Sequence, residues 1–243
     1  MNLIADIGNS TTKIALFKGN HLVSLKRDTN LTGELINSLI GDKKIDAIII
    51  SSVSAGDDYI KELFSAYKAP LLILNKSLPL PFDIGYSTPE SLGSDRIAGI
   101  AGAHNKFAGK NVLVIDAGTA ITYDMLLSNN IYPGGNISPG LNTRFKSLNQ
   151  FTGRLPLIEV GSMISDIGST TESAIRNGVQ MGLIFEINEY IRSFKNRYND
   201  LEIVLTGGDS KFLKDYIDFS VTFAPELIME GLNHILNYNV KVL

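Results

Sequence analysis

One short pattern occurs twice, 110 residues apart, and it restricts the fold more than any other feature of the chain. Leu3-Ile4-Ala5-Asp6-Ile7-Gly8 is repeated as Leu113-Val114-Ile115-Asp116-Ala117-Gly118, and a threonine follows each glycine by four residues, Thr12 and Thr122. Each copy is an apolar run ending in Asp-x-Gly, with a second apolar segment after it, 13–17 in the first copy and 121–126 in the second. Such runs are buried strands, and the segment between them is a hairpin turn. Repetition at this spacing divides the 243 residues into two related halves, taken as 1–108 and 109–243.

After the first hairpin, the pattern predicts a strand at 21–25 and a helix at 32–39 capped by Thr32. A strand at 45–50, a helix at 57–67 and a strand at 71–74 follow. Pro79, Pro81 and Pro89 mark a loop. A helix is predicted from 89 to 107, where Ala98, Gly99, Ala101, Gly102 and Ala103 permit close packing. In the second half, a strand begins at 112 and 121–126 pairs with 131–137. Helices follow, then a strand at 201–205 and a helix start at Asp209. Hairpin strands followed by alternating helices and strands give an α/β fold of two duplicated halves, each a mixed sheet flanked by helices, with the active cleft expected between them.

Composition removes several chemistries. Cysteine is absent, so disulfides, iron–sulfur clusters and thiol catalysis are excluded. Only His21, His104 and His234 occur, far apart in sequence, and no helical zinc pair can form. The net charge is −3 with no basic stripe, which argues against a nucleic-acid partner. The N-terminal run is interrupted by Asp6 and lacks a cationic start, and no apolar stretch approaches the ~18 residues of a membrane helix. A cytoplasmic protein is expected. The P-loop, the dinucleotide fingerprint and the protein-kinase motifs are all missing.

What remains is a strand-tip carboxylate beside a glycine turn. The backbone N–H groups of such a turn can cradle phosphate oxygens, and the carboxylate can hold magnesium, usually through water. Asp6, Gly8, Asn9, Ser10, Thr11, Thr12 and Lys13 supply these parts, and Lys13 can neutralise phosphate charge. The same residues also serve ordinary turns. Asp116-Ala117-Gly118-Thr119-Ala120 repeats the device, and Thr206-Gly207-Gly208-Asp209 would let backbone approach a base or ribose. Ahead of the small-residue helix stands Gly93-Ser94-Asp95-Arg96. Asp95 suits a helix N-terminus, whereas a cation is disfavoured there, so Arg96 suggests an anionic ligand such as a carboxylate. Phosphoryl transfer depends mostly on positioning and charge, so an aspartate suffices as proton acceptor.

Asp6-Ile7-Gly8-Asn9-Ser10, Gly93-Ser94-Asp95-Arg96, Asp116-Ala117-Gly118-Thr119-Ala120-Ile121-Thr122, Gly134-Gly135-Asn136-Ile137-Ser138-Pro139-Gly140 and Thr206-Gly207-Gly208-Asp209 occur in this order. Together they resemble the bacterial type III pantothenate kinases over nearly the whole chain. The resemblance implies two ribonuclease-H-like halves of the sugar-kinase/actin superfamily and transfer of the ATP γ-phosphate to the primary hydroxyl of pantothenate, the first step toward coenzyme A. It implies a phosphate loop from Asp6 to Lys13, including Ile7, an ATP contact at Thr119, and Asp95 as proton acceptor. Pantothenate would be bound by Tyr86, Gly93, Ser94, Asp95, Arg96 and Thr171. Asp116 would hold a monovalent cation, K+ or NH4+, leaving Asp6 as the magnesium carboxylate. A homodimer is implied as well. Two departures stand out: Ser10 where threonine is common, and Thr170 where asparagine is expected.

Other residues read more plainly. His104, with no partner nearby in sequence, is structural or exposed. Tyr190, Phe194 and Tyr198 form a packing stripe at helical spacing, a dimer face being the alternative. Arg144, Lys146 and Arg154 read as solvated charges, contact of one of them with ATP phosphates being the alternative, and Lys43-Lys44 as a solvated loop pair. Two other functions compete: a kinase for another small hydroxylated acid or sugar, and a non-catalytic nucleotide-binding regulatory protein on the same scaffold.

Overall fold

In the computed structural model, residues 1–8, 11–52, 56–162 and 167–240 are described. The chain forms two compact units. The first comprises Met1–Gly109, Asn129–Pro133 and Glu226–Leu243, and the second Lys110–Ser128 and Gly134–Pro225.

The first unit is built on β1 (Asn2–Ile7), β2 (Thr12–Lys18), β3 (His21–Asp28), β4 (Ala47–Ser52) and β5 (Leu71–Ile73), in the sheet order β3-β2-β1-β4-β5. The hairpin strands are antiparallel, while β1, β4 and β5 run parallel. Leu3, Ile4 and Ala5 in β1 and Ile48, Ile49 and Ile50 in β4 are fully buried, as unbroken apolar runs of a covered parallel sheet should be. Two helices, α1 (Gly33–Ile40) and α2 (Asp57–Phe64), follow β3 and β4. Thr32 caps α1 through the Leu35 amide, as the sequence predicts. The second helix stops at Phe64 and not at 67.

The predicted helix over 89–107 is broken. A short 3-10 turn at Pro89–Ser91 is followed by extended Leu92 and Gly93, and α3 (Ser94–Lys106) begins there. Residues 96–103 of α3 are all buried.

The second unit repeats the topology with β7 (Val112–Ala117), β8 (Ala120–Leu126), β10 (Gly134–Pro139), β11 (Glu202–Thr206) and β12 (Thr222–Phe223), in the order β10-β8-β7-β11-β12. Its helices are α4 (Leu141–Phe151), α5 (Thr171–Arg197) and the short α6 (Ser210–Leu213). The duplication read from two strand tips thus extends to the whole strand order.

Three expectations change. The 110-residue offset holds through β1 and β7 but not beyond the turn. Ile7 pairs with Thr12 across four residues, whereas Ala117 pairs with Ile121 across three. The shorter turn closes with Gly118 N–H on the Ala120 carbonyl, where Gly8 N–H reaches Thr11. Lys13 and Thr122 therefore correspond, opposite Asp6 and Asp116, and Thr12 and Thr122 do not. The expected strand 131–137 is two strands. In the first unit, β9 (Ile131–Tyr132) pairs with β6 (Asp83–Ile84), and β10 alone pairs with β8. Pro133, which has no N–H for a ladder, separates them.

The third change concerns the division after residue 108. The C-terminal helix α7 (Leu227–Val240) belongs with the first unit. It packs on α3, where a Cβ at Gly231 would lie 1.8 Å from the Ala98 carbonyl oxygen, so the two helix backbones nearly touch. Asn233 and Asn237 of α7 both accept from the Asn2 side chain, fixing the helix to β1. No helix among the described residues is long and apolar enough to cross a membrane.

Candidate active site

In the first unit the site is built at the C-terminal ends of β1 and β4. Asp6 stands in register with Lys13 of β2 on one side and Ser51 of β4 on the other. Residues in register share a face of the sheet, which brings a carboxylate, an ammonium and a hydroxyl together. The Ser51 hydroxyl is hydrogen-bonded to Asp6. Its oxygen also lies 3.0 Å from Ser94 Oγ, joining the strand tips to the start of α3. The next residue is Asp95, close enough to act electrostatically on Asp6.

Burial pushes the Asp6 carboxyl above the usual range. Lys13 and the Ser51 hydrogen bond pull it down, and the Asp95 charge pushes it up again. Two carboxylates, Asp6 and Asp95, lie close together here, with Lys13 beside Asp6. A hard cation held by oxygens fits that donor set, with water and phosphate oxygens completing its shell. Among the described residues no cluster of three or more His, Cys, Asp or Glu could hold a metal, so the protein itself would contribute only one or two carboxylates.

The turn at residues 93–96 is held from two sides. Asp95 is exposed at the start of α3, and its Oδ1 accepts from the Arg96 backbone N–H at 2.9 Å. The Arg96 side chain is 7% exposed, and its guanidinium lies 5.7 Å from the Tyr86 ring centroid. This stacking answers the puzzle of a cation near a helix N-terminus: the aromatic face supports it.

The remaining phosphate-loop candidates divide. Ile7 is buried in the core cluster and can offer only its backbone. Asn9 and Ser10 lie outside the described residues. Thr11 is exposed. Thr12, paired with Ile7, faces the opposite side of the sheet from Asp6 and Lys13. Its side chain is 1% exposed, and its hydroxyl has no partner among the described residues.

In the second unit, Asp116 lies one residue before the end of β7, in register with Thr122 and Thr206. Gly207, at φ +94°, packs against it, and a Cβ there would lie 2.4 Å from Asp116 Oδ1. This close approach in the left-handed region explains the first glycine of the pair. The Asp209 N–H donates to the Ala117 carbonyl at 2.9 Å, and burial raises the Asp209 carboxyl. The Thr119 side chain is exposed, while its carbonyl accepts from Gly140 N–H and from Thr143 Oγ1 at 2.7 Å. This turn is thereby fixed to the start of α4.

Thr171 is exposed at the first residue of α5 and lines a groove of about 610 Å³ with Arg144, Leu148 and Gly178. Thr170, which departs from the expected asparagine, caps α5 through the Ser173 amide, and the Ser173 hydroxyl returns the bond.

Two side chains differ from their sequence reading. Arg144 is not simply solvated: it pairs with Glu186 at 2.5 Å and bonds Ser138 Oγ and the Pro139 carbonyl. Burial raises the Glu186 carboxyl, but bonds from Arg144, Ser138 and Tyr123 outweigh it and hold the group below the usual range. His104 does have a partner, with its Nδ1 3.1 Å from Nε2 of His234 and the rings stacked. Their separation of 130 residues hid the contact. Ser51 was likewise missed. Its only trace is a polar residue closing the apolar run 45–50, and its importance comes from lying beside Asp6 in a parallel pair.

The model of the family described as type III pantothenate kinase matches residues 2–193. A type III pantothenate kinase of Bacteroides fragilis is 44% identical over 240 residues, covering 98% of each chain. One from Porphyromonas gingivalis is 40% identical over 242 residues, covering 98% of this chain and 99% of the relative. Among solved structures, a Campylobacter jejuni protein described as a Baf family transcriptional activator has a TM-score of 0.62 at 26% identity, covering 98% of this chain and 99% of that one. A Sinorhizobium meliloti protein described as a 2-dehydro-3-deoxygalactonokinase has a TM-score of 0.59 at 11% identity, covering 100% and 99%. The last likeness speaks for the fold alone.

Proposed function

This chain belongs to the type III pantothenate kinase family, and from that premise we propose how its own residues share the work. The reaction is ATP-dependent phosphorylation of pantothenate, in coenzyme A biosynthesis. ATP is the phosphoryl donor, with a divalent metal. The γ-phosphoryl group leaves the β-phosphate oxygen and bonds to the primary hydroxyl oxygen, giving 4'-phosphopantothenate and ADP. The hydroxyl proton needs an acceptor, and Asp95, exposed at the start of α3, is our choice for it.

The observation that carries this division is the convergence of Asp6, Ser51, Ser94 and Asp95 in one unit. A phosphate-side carboxylate and an acceptor-side carboxylate face one small region, as in-line transfer requires. Asp6, the turn after it and Lys13 hold phosphate oxygens, and Asp6 takes magnesium through water. When bound, magnesium would spread the charge of the transferring group. Arg96, braced by Tyr86, pairs with the pantothenate carboxylate, and Gly93 and Ser94 shape the turn. In the second unit, Thr119 touches ATP, Thr171 touches pantothenate, and Asp116 holds a monovalent cation, K+ or NH4+, whose loose coordination suits the oxygen-lined end of β7.

Self-association through α5 is part of the same reading. Ile167 and Phe185 are 82% and 62% exposed, and with Gly178, Met181 and Gly182 they border an apolar groove of about 740 Å³. A face of small residues flanked by large exposed ones suits a second copy. We also place the enzyme in the cytoplasm, where ATP is made.

The test is ADP release from ATP and magnesium, with and without pantothenate, in potassium and in sodium. The proposal expects turnover that requires pantothenate and is faster in potassium. Equal rates in the two salts would remove the cation from Asp116. Tight ATP binding without turnover would favour the regulatory reading, to which the description of the Campylobacter neighbour lends some support.

A further inference from the structure

We infer that Ser51 is a positioning residue for this reaction, joining the phosphate-side carboxylate to the acceptor turn. The inference rests on the placement of Asp6 and Asp95 proposed above. Ser51 belongs to neither of the motifs it connects. It is the last residue but one of β4, is 1% exposed, and has its hydroxyl between the Asp6 carboxylate and Ser94 Oγ.

The start of α3 needs such a tether. Its N-cap is Gly93, which has no side chain, and no side-chain cap bond forms there. Thr32 and Thr170 do cap α1 and α5. A first turn whose N-cap has no side chain depends on bonds from elsewhere to hold it. In α3 that turn carries Asp95 and Arg96, the two residues that must meet the acceptor hydroxyl and the substrate carboxylate. The Ser51 hydroxyl, 3.0 Å from Ser94 Oγ, is a fixed point for the turn, and it is anchored in the sheet beside Asp6. With one hydrogen and two lone pairs, the Ser51 hydroxyl can donate to the acceptor-only Asp6 carboxylate and accept from the Ser94 hydroxyl at once. Misplacing reacting groups by about 1 Å can cost on the order of a hundredfold in rate.

The inference predicts an asymmetric loss. In Ser51→Ala, kcat/KM for pantothenate falls about tenfold, while KM for ATP stays within twofold. Ser51→Thr, which keeps the hydroxyl, recovers most of the loss. Because Ser51 acts through Ser94, the double variant with Ser94→Ala is no worse than the poorer single variant. Pantothenate binding, measured by calorimetry without turnover, weakens in parallel. Multiplicative losses in the double variant, or a KM for ATP that rises as much as that for pantothenate, would overturn the inference. So would an unchanged Ser51→Ala enzyme. Asp95→Asn, assayed alongside, separates the two levels. If it is inactive while Ser51→Ala is normal, only the role of Ser51 fails; if it is fully active, the placement of the acceptor site fails as well. Ser94→Ala cuts the same bond from the less buried side, and an unchanged KM for pantothenate there overturns the inference independently of how Ser51→Ala folds.

Discussion

Gly231→Ala should destabilise the protein although it replaces glycine by the best helix former. Gly231 lies inside α7, and the new methyl carbon would sit 1.8 Å from the Ala98 carbonyl oxygen and 2.7 Å from the Gly102 nitrogen of α3. Carbon–oxygen contacts settle near ~3.3 Å, so the helices would have to part by roughly 1.5 Å. Overpacking costs about 1–3 kcal/mol, and the upper end applies because both obstructing atoms are backbone and cannot rotate away. Alanine returns about 1 kcal/mol of helix propensity. The net loss is therefore about 2 kcal/mol, which for a chain of this length lowers Tm by roughly 4–8 °C. Circular dichroism melts of wild type and variant measure it directly. The effect should reach the chemistry, because α3 carries Asp95 and Arg96 in its first turn: kcat/KM for pantothenate should fall more than that for ATP. An unchanged or raised Tm would mean that propensity wins and that α3 and α7 are not in backbone contact.

Three other outcomes follow from the same geometry. Asp6→Asn should abolish turnover yet raise the Tm of the ligand-free protein at neutral pH. Burial raises the folded-state pKa above the unfolded value, so the ionised carboxylate costs stability above that range, and melts against pH would expose a wrong sign. Burial lowers the His104 pKa below its ordinary 6.5, so the folded state resists protonation; stability should be full above that pH and decline as pH falls through it, and His104→Gln should flatten the slope in urea titrations. Phe185→Glu should convert a dimer to monomer in sedimentation equilibrium while leaving the melt of the monomer nearly unchanged, and a wild-type protein that is monomeric at every concentration would remove the α5 interface.

Much of this was legible in the sequence, for a specific reason: the elements that carry chemistry are also the ones with strong periodic signals. Buried parallel strands read as unbroken apolar runs, and two of them ended in the same Asp-x-Gly, so the duplication and both strand tips were recoverable. The Thr32 cap was legible because it is local. What was hidden depends on contacts distant in sequence. Ser51 matters only because a parallel pair sets it beside Asp6, 45 residues away. His104 meets His234 only because α7 returns to the first unit, a packing choice made by Gly102 and Gly231. Arg144 read as solvated because Glu186 lies 42 residues on. The Thr12–Thr122 match failed through a single extra residue in one turn, which no period analysis of so short a motif can resolve.

We propose that Asp95 at the start of α3 takes the proton as ATP phosphorylates pantothenate. The most direct measurement is kcat for pantothenate-dependent ADP release in Asp95→Asn beside wild type, with ATP affinity measured on the same samples. A fall of at least tenfold, about 1.4 kcal/mol of barrier, is expected, with ATP affinity preserved. A variant that turns over at the wild-type rate would contradict it, and the proton acceptor would have to be sought elsewhere.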